Sequence, residues 1–155
     1  MLATATATTA RAAVPIGADG VDRSLAPYAL FGLRLALAAM WASHGLLKFL
    51  VFTLPGTAQF FASVGLPPML AYIVAPAELL GAAAILLGWH GRLASLLLTP
   101  VLLGAAFVHW PNGWVFTAAG GGWEYPVFLA AMGLVHALAG EGAFALRPAA
   151  GRAAA

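Results

Sequence analysis

Met69–Arg92 reads MLAYIVAPAELLGAAAILLGWHGR. From Met69 to Trp89 it carries one charged side chain, Glu78, and it matches the ~20 apolar residues a helix needs to cross a bilayer. Hydrocarbon cannot solvate a carboxylate, so the same stretch that sets the fold also marks a functional suspect. A tight turn, His90-Gly91-Arg92, leads into a further apolar run from Leu93 to Trp110. Upstream, Tyr28 to Phe52 forms another, with Pro27 suited to a helix start. Downstream, a fourth begins at Glu124 or Tyr125, with Pro126 in its first turn, and ends near Ala139. It is the shortest and has room to extend past Gly140 toward Phe144.

The expected fold is therefore all-α, an integral membrane four-helix bundle. Composition agrees: 63% of the 155 residues are hydrophobic and 8% charged, and the mean hydropathy is +0.94. A soluble domain carries about 25% charged residues. Three segments are expected: a disordered cytoplasmic tail over residues 1–26, the membrane domain over 27–146 and a C-terminal tail over 147–155. No apolar run follows Met1, which argues against a secretory signal peptide.

There are no cysteines. That excludes iron–sulfur clusters, covalently attached haem and thiol redox chemistry within this chain. The net charge of +2 rests on seven basic residues, which read as topology signals and not as a nucleic-acid surface. Arg11, Arg23 and Arg34 flank the first span, Arg92 lies in the second loop, and Arg147 and Arg152 in the tail. The positive-inside rule then places both termini in the cytoplasm. Trp110, Trp114 and Trp123 mark the outer interface and Trp89 the inner. The loop from Thr53 to Pro68 is apolar but broken by prolines and glycines; its middle, Gln59 to Ala62, is expected to form a short helix at the membrane surface. Pro111 to Trp123 carries turn chemistry in Asn112-Gly113 and Gly120-Gly121-Gly122.

The polar residues at membrane depth form a pattern. On the first span, Arg34, Trp41, His44 and Lys48 fall within roughly 80° of one face. Gly32, Ala36, Ala39 and Ser43 form a separate small-residue stripe that lets another helix come close. Arg34 and Lys48 lie near opposite ends and could snorkel to headgroups; His44 could not. Glu78 sits about 13 Å from either interface at 1.5 Å per residue. Its candidate partners are Arg34, His44 and Lys48, with His44 the nearest in depth. A structural ion pair and a substrate or proton-transfer role are both open for it. His109 ends the third span and Glu124 opens the fourth, where the helix dipole alone would favour an acid. With His44, Lys48 and Glu78 they suggest a polar pocket opening outward. His136 reads as a packing histidine. A haem between His44 and His109, or a metal among His44, Glu78, His109 and Glu124, has marginal geometry and no supporting HxxxH or ExxH spacing.

Taken in order, these residues resemble the DoxX family of four-span membrane proteins over residues 28 to 146. The motifs are Arg34; Ser43-His44-Gly45-Leu46-Leu47-Lys48; Gly65-Leu66-Pro67; Glu78-Leu79-Leu80-Gly81; Leu87-Gly88-Trp89-His90-Gly91-Arg92; His109; Gly122-Trp123-Glu124-Tyr125; and Gly140-Glu141-Gly142. Glu141, and the Ala143-Phe144-Ala145-Leu146-Arg147 that follows, depart from the usual ending. The resemblance implies a membrane subunit associated with redox enzymes. Some relatives form the quinone-reducing part of a thiosulfate:quinone oxidoreductase; others accompany oxygenases or oxidative-stress proteins. Fold transfers strongly on such a likeness and function weakly.

The expected function is a subunit of a quinone-linked oxidoreductase system in the inner membrane, in contact with lipid and with a partner redox protein or further copies of itself. A quinone is the expected cofactor. His44 and Glu78 are the candidate catalytic residues, and Arg34, Trp41, Lys48, His109 and Glu124 the candidate substrate-binding residues. The alternative is a non-enzymatic anchor or assembly subunit, which the Ala77, Gly81, Ala84 and Gly88 stripe would suit. A transporter with Glu78 as carrier is weaker, since no inverted repeat or pair of interrupted helices is visible.

Overall fold

The computed structural model describes residues 19–146. Residues 1–18 and 147–155, the larger part of the expected N-terminal tail and the whole expected C-terminal tail, lie outside the described residues. Five α-helices and no strand are found among the described residues: α1 (Ala26–Leu50), α2 (Leu54–Ser63), α3 (Leu70–Leu87), α4 (Gly91–His109) and α5 (Glu124–Ala139). A single 3-10 turn, Trp110–Asn112, follows α4. Among the described residues, three helical segments are long and apolar enough to cross a membrane: Ala26–Leu50, Leu70–Leu87 and Gly91–Asn112.

The helix α5 has 16 residues, about 24 Å at 1.5 Å per residue against a hydrocarbon core of about 30 Å. It ends at Ala139, as expected, and does not use the room to extend toward Phe144. Gly140 takes φ 110°, and the chain turns back across the end of the helices. There the Ala143 amide donates to the Pro27 carbonyl and the Leu146 amide to the Leu87 carbonyl, so the segment straps α1 to α3. The surface helix is longer than expected, Leu54–Ser63, because Thr53 caps it by accepting from the Gly56 amide.

The helices α1 and α3 pack together, α3 packs on α4, α4 on α5, and α5 returns to α1. Leu37, Trp41, Ile85, Leu98, Leu102 and Leu129 fill the centre. The outer surface is apolar: Leu80 is 72% exposed, Phe107 76% and Leu138 81%. Arg34, Glu78, His136 and Glu141 are buried. Apolar outside with ions inside is the order expected of a chain whose solvent is lipid.

Small residues set the close approaches. A Cβ on Gly81 would collide with the Leu98 side chain of α4, and one on Gly45 with Leu79 of α3. Gly88, in the left-handed region at φ 63°, ends α3 where a Cβ would meet the Arg34 guanidinium and Ala145. The α3 stripe is thus consumed within the chain, at Gly81 and Gly88. The α1 stripe is not: Gly32, Ala36, Ala39 and Ser43 all face outward, with open space beside Gly32.

Candidate functional site

The structure splits the first-span polar face between the two ends of the molecule. Arg34 and Lys48 stand 14 residues apart on α1, about 21 Å along its axis. Each enters a different cluster.

At the end carrying α2 and the α4–α5 loop lies a cavity of about 1080 Å³. Five of the seven expected site residues line it: Trp41, His44, Lys48, Glu78 and His109. Phe52, Phe60, Phe61, Phe116 and Tyr125 supply aromatic walls, two of them from α2, which borders one side. The sequence pattern did not single out Tyr125 as a site residue, although it sits beside Glu124 in the Gly122-Trp123-Glu124-Tyr125 motif; its ring stacks toward His44 at 6.3 Å between centroids.

Glu78 is paired with Lys48 and not with His44, the partner expected from depth. The Lys48 ammonium donates to both carboxylate oxygens, at 2.9 and 2.7 Å. Glu78 is 3% exposed and Lys48 16%. The flexible lysine stem explains the difference: it reaches back from the end of α1 to a carboxylate near the middle of α3, whereas an imidazole cannot extend. Lys48 therefore does not snorkel away from the protein. His44 instead lies with Nδ1 3.0 Å from the Met40 carbonyl oxygen, one turn back on α1. His109 has a buried Nδ1 with no hydrogen-bond partner.

Two expected site residues lie elsewhere. Glu124 opens α5, and its carboxylate accepts from the Phe116 amide at 2.8 Å, tying down the α4–α5 loop beside the cavity. Trp123 stacks on Trp110 at 4.5 Å and meets Trp114 edge-on at 4.4 Å in the same loop. A Cβ on Gly122 would overlap the Trp114 and Val115 carbonyls, which is why that position is glycine.

Arg34 belongs to the opposite end. It is 1% exposed and donates from Nη1 to the Glu141 carbonyl oxygen at 2.6 Å, with its guanidinium over the Phe31 ring at 5.2 Å. The Glu141 carboxylate accepts from the Arg92 amide at 2.9 Å, at the start of α4, and lies 3.4 Å from His136 Nε2. His136 Nδ1 is 2.8 Å from Ser95 Oγ. Arg92 Nε donates to the Ala137 carbonyl at 2.6 Å. His136 is thus a buried, hydrogen-bonded packing residue, as the sequence suggested. The cluster around it was not anticipated. Its one signal was Glu141 itself, the charge between Gly140 and Gly142 that departs from the resemblance. Among the described residues, no group of three His, Asp or Glu side chains could hold a metal ion.

The DoxX family model matches residues 29–110 of the chain, from α1 through α4. A relative from Bacillus subtilis (strain 168), "Putative oxidoreductase CatD", is 38% identical over 73 residues. That alignment covers 47% of this chain and 53% of the relative, so the chain spans about half the length of the curated relative it matches. No solved structure matches the chain.

Proposed function

The chain belongs to the DoxX family, and we propose that it serves as a membrane subunit of a quinone-linked oxidoreductase system, with the cavity at the α2 end as the quinone site. One observation carries this reading: five polar or aromatic residues chosen from sequence alone, Trp41, His44, Lys48, Glu78 and His109, converge on one large, otherwise apolar cavity. A quinone requires an apolar slot, aromatic walls and a few polar groups at its head, and this cavity offers all three. When bound, the quinone would supply two-electron, two-proton redox chemistry.

The chain's own residues would do the rest. The Lys48–Glu78 pair places a fixed ammonium at the cavity wall, its charge offset by the carboxylate behind it. His44 exchanges protons. Trp41 and Tyr125 bound the ring. Arg34 and Glu124 hold the scaffold. Lacking cysteine, the chain depends on a partner protein for its electron donor. The relative's name, an oxidoreductase, is consistent with that assignment.

In this reading α5 crosses as a fourth, short span, with the bilayer thinned beside it. The positive-inside rule puts both termini in the cytoplasm and the cavity toward the outer face of the inner membrane. The test is the lipid extract of protein purified in mild detergent. Quinone retained by wild type and lost from the Lys48→Met/Glu78→Leu double variant supports the site. Wild type that neither retains quinone nor binds it when added overturns it.

A second reading, an anchor for a partner enzyme or a second copy, has its own observation: the outward stripe of Gly32, Ala36, Ala39 and Ser43 on α1. Wild type should then form a complex in native mass spectrometry that Ala39→Leu dissociates, while no complex, or one unchanged by the substitution, removes that role.

A further inference from the structure

The tautomer of His44 narrows what the cavity can hold. Its Nδ1 lies 3.0 Å from the Met40 carbonyl oxygen, which is an acceptor and has no proton to give. Nδ1 must therefore carry the ring's proton. In the neutral ring Nε2 is then a lone-pair acceptor, and among the described residues no hydrogen bond to it is found. His44 is exposed and lines the cavity. The other titratable groups lining the cavity are Lys48 on α1, Glu78 on α3, His109 on α4 and Tyr125 on α5. Lys48 is committed to both oxygens of Glu78, so this ion pair neither takes up a ligand proton nor offers a free carboxylate.

From this geometry we infer that His44 Nε2 is the proton acceptor for a ring hydroxyl, so that the cavity selects a hydroxyl-bearing aromatic ring, a phenol or quinol, over its methyl ether. The inference deepens the proposed function and rests on its reading of the cavity as an aromatic-ligand site. In the step, the ligand O–H bond breaks and an Nε2–H bond forms. His44 becomes an imidazolium held by Met40 through Nδ1, and the ligand oxygen keeps the electron pair as an anion. No electron leaves the ligand in this step, so no oxidant is required. The apolar remainder of the cavity favours an alkyl tail on the ring, as in a lipid-soluble quinol, over a small free phenol.

The probes are 2-octyl-4-nitrophenol, its methyl ether, and 4-nitrophenol without the tail, added to the full chain in lipid nanodiscs. Binding is read by tryptophan quenching, and deprotonation by the yellow phenolate band against empty nanodiscs. The expected result is a phenolate midpoint lowered by at least one pH unit in wild type, about a tenfold shift in the equilibrium. The methyl ether should bind at least tenfold more weakly. Equal binding of 4-nitrophenol would locate the specificity in the ring alone; weaker binding points to a lipid-soluble source. In His44→Phe the octyl probe should bind about as weakly as the methyl ether binds wild type, and at saturation its midpoint should return to that of empty discs. His44→Gln, which can still donate to the Met40 carbonyl but has no basic nitrogen, should do the same, and it serves if the phenylalanine variant does not fold. Binding with an unshifted midpoint in wild type, or a shift that survives both His44 variants, overturns the inference alone. A shift lost in Lys48→Met/Glu78→Leu under conditions where the octyl probe is still fully bound and His44 is intact assigns the effect to the ammonium and also overturns it. Failure of every probe to bind overturns the aromatic-site reading together with it.

Discussion

The two ends of the molecule hold buried charge in different ways. At the strap end, Arg34, Arg92, His136 and Glu141 bond to one another, to Ser95 or to backbone carbonyls, and the Gly140–Leu146 segment closes over them. At the α2 end, the Lys48–Glu78 pair stands at the wall of a cavity of about 1080 Å³. Both sets would cost several kcal/mol to bury unpaired. Burial of charge therefore does not by itself locate a site. Open volume beside the charge does, and the α2 end has it. The strap end looks like a clamp fixing α1, α4 and α5 to the returning chain; the α2 end looks like a receptor.

Substitutions can break or sharpen this contrast. The largest effect should follow from splitting the Lys48–Glu78 pair. Lys48→Met alone leaves the Glu78 carboxylate buried without its partner and should cost about 3–5 kcal/mol, whereas Lys48→Met/Glu78→Leu should come back to near wild type. Reversible unfolding in mixed micelles measures both, and a single variant costing under ~1 kcal/mol would mean that water reaches the pair. Next comes the clamp. Arg34→Met leaves the Glu141 carbonyl without its donor and should cost about 1–3 kcal/mol, with quinone binding unchanged; loss of binding at intact fold would join the two ends functionally. Gly81→Leu should cost a similar ~1–3 kcal/mol by forcing α3 away from Leu98, checked by the same unfolding assay. Smaller still, His44→Phe should shift stability by under about 0.5 kcal/mol, since the ring faces open volume, while removing the proton acceptor.

The smallest effect lies in the turn ahead of α1. The Asp22 carboxylate accepts from the Ser24 hydroxyl at 2.6 Å and from the Ser24 and Leu25 amides. The Ser24 hydroxyl, with those amides, holds its carboxyl below the ordinary 3.8 against a slight opposing effect of burial. A carboxyl lowered in the folded state contributes stability above its unfolded value, and that contribution fades as pH falls through the folded value. Protection against amide exchange at Ser24 and Leu25, relative to the intrinsic rate, should therefore be lost only in acid below that value, and Asp22→Ala should lack it at all pH.

Much of this was legible in the chain. Spans longer than about 18 apolar residues announce themselves, and α1, α3 and α4 lie within a few residues of where hydropathy put them. The residues at membrane depth were legible too, because a charge there is never casual: Glu78, Lys48, His44 and His109 line one cavity. Pairing was not legible. Depth along a helix suggested His44 for Glu78, but side-chain reach decided for Lys48. Nor was the partition of one helical face between two ends, since a wheel projection discards the 21 Å between Arg34 and Lys48. The α3 stripe read as an external contact because spacing cannot tell a neighbour in the same chain from one outside it. The strap was hidden because irregular backbone has no period, and Glu141 acquires a meaning only once the chain folds back over α4.

The most direct test is equilibrium binding of decyl-ubiquinone to the protein in nanodiscs, comparing wild type, Lys48→Met/Glu78→Leu and Arg34→Met at matched helicity. Binding in wild type and Arg34→Met, with at least tenfold weakening in the double variant, is the predicted result. Equal binding in all three, or loss in Arg34→Met alone, would contradict the assignment of the α2-end cavity as the functional site.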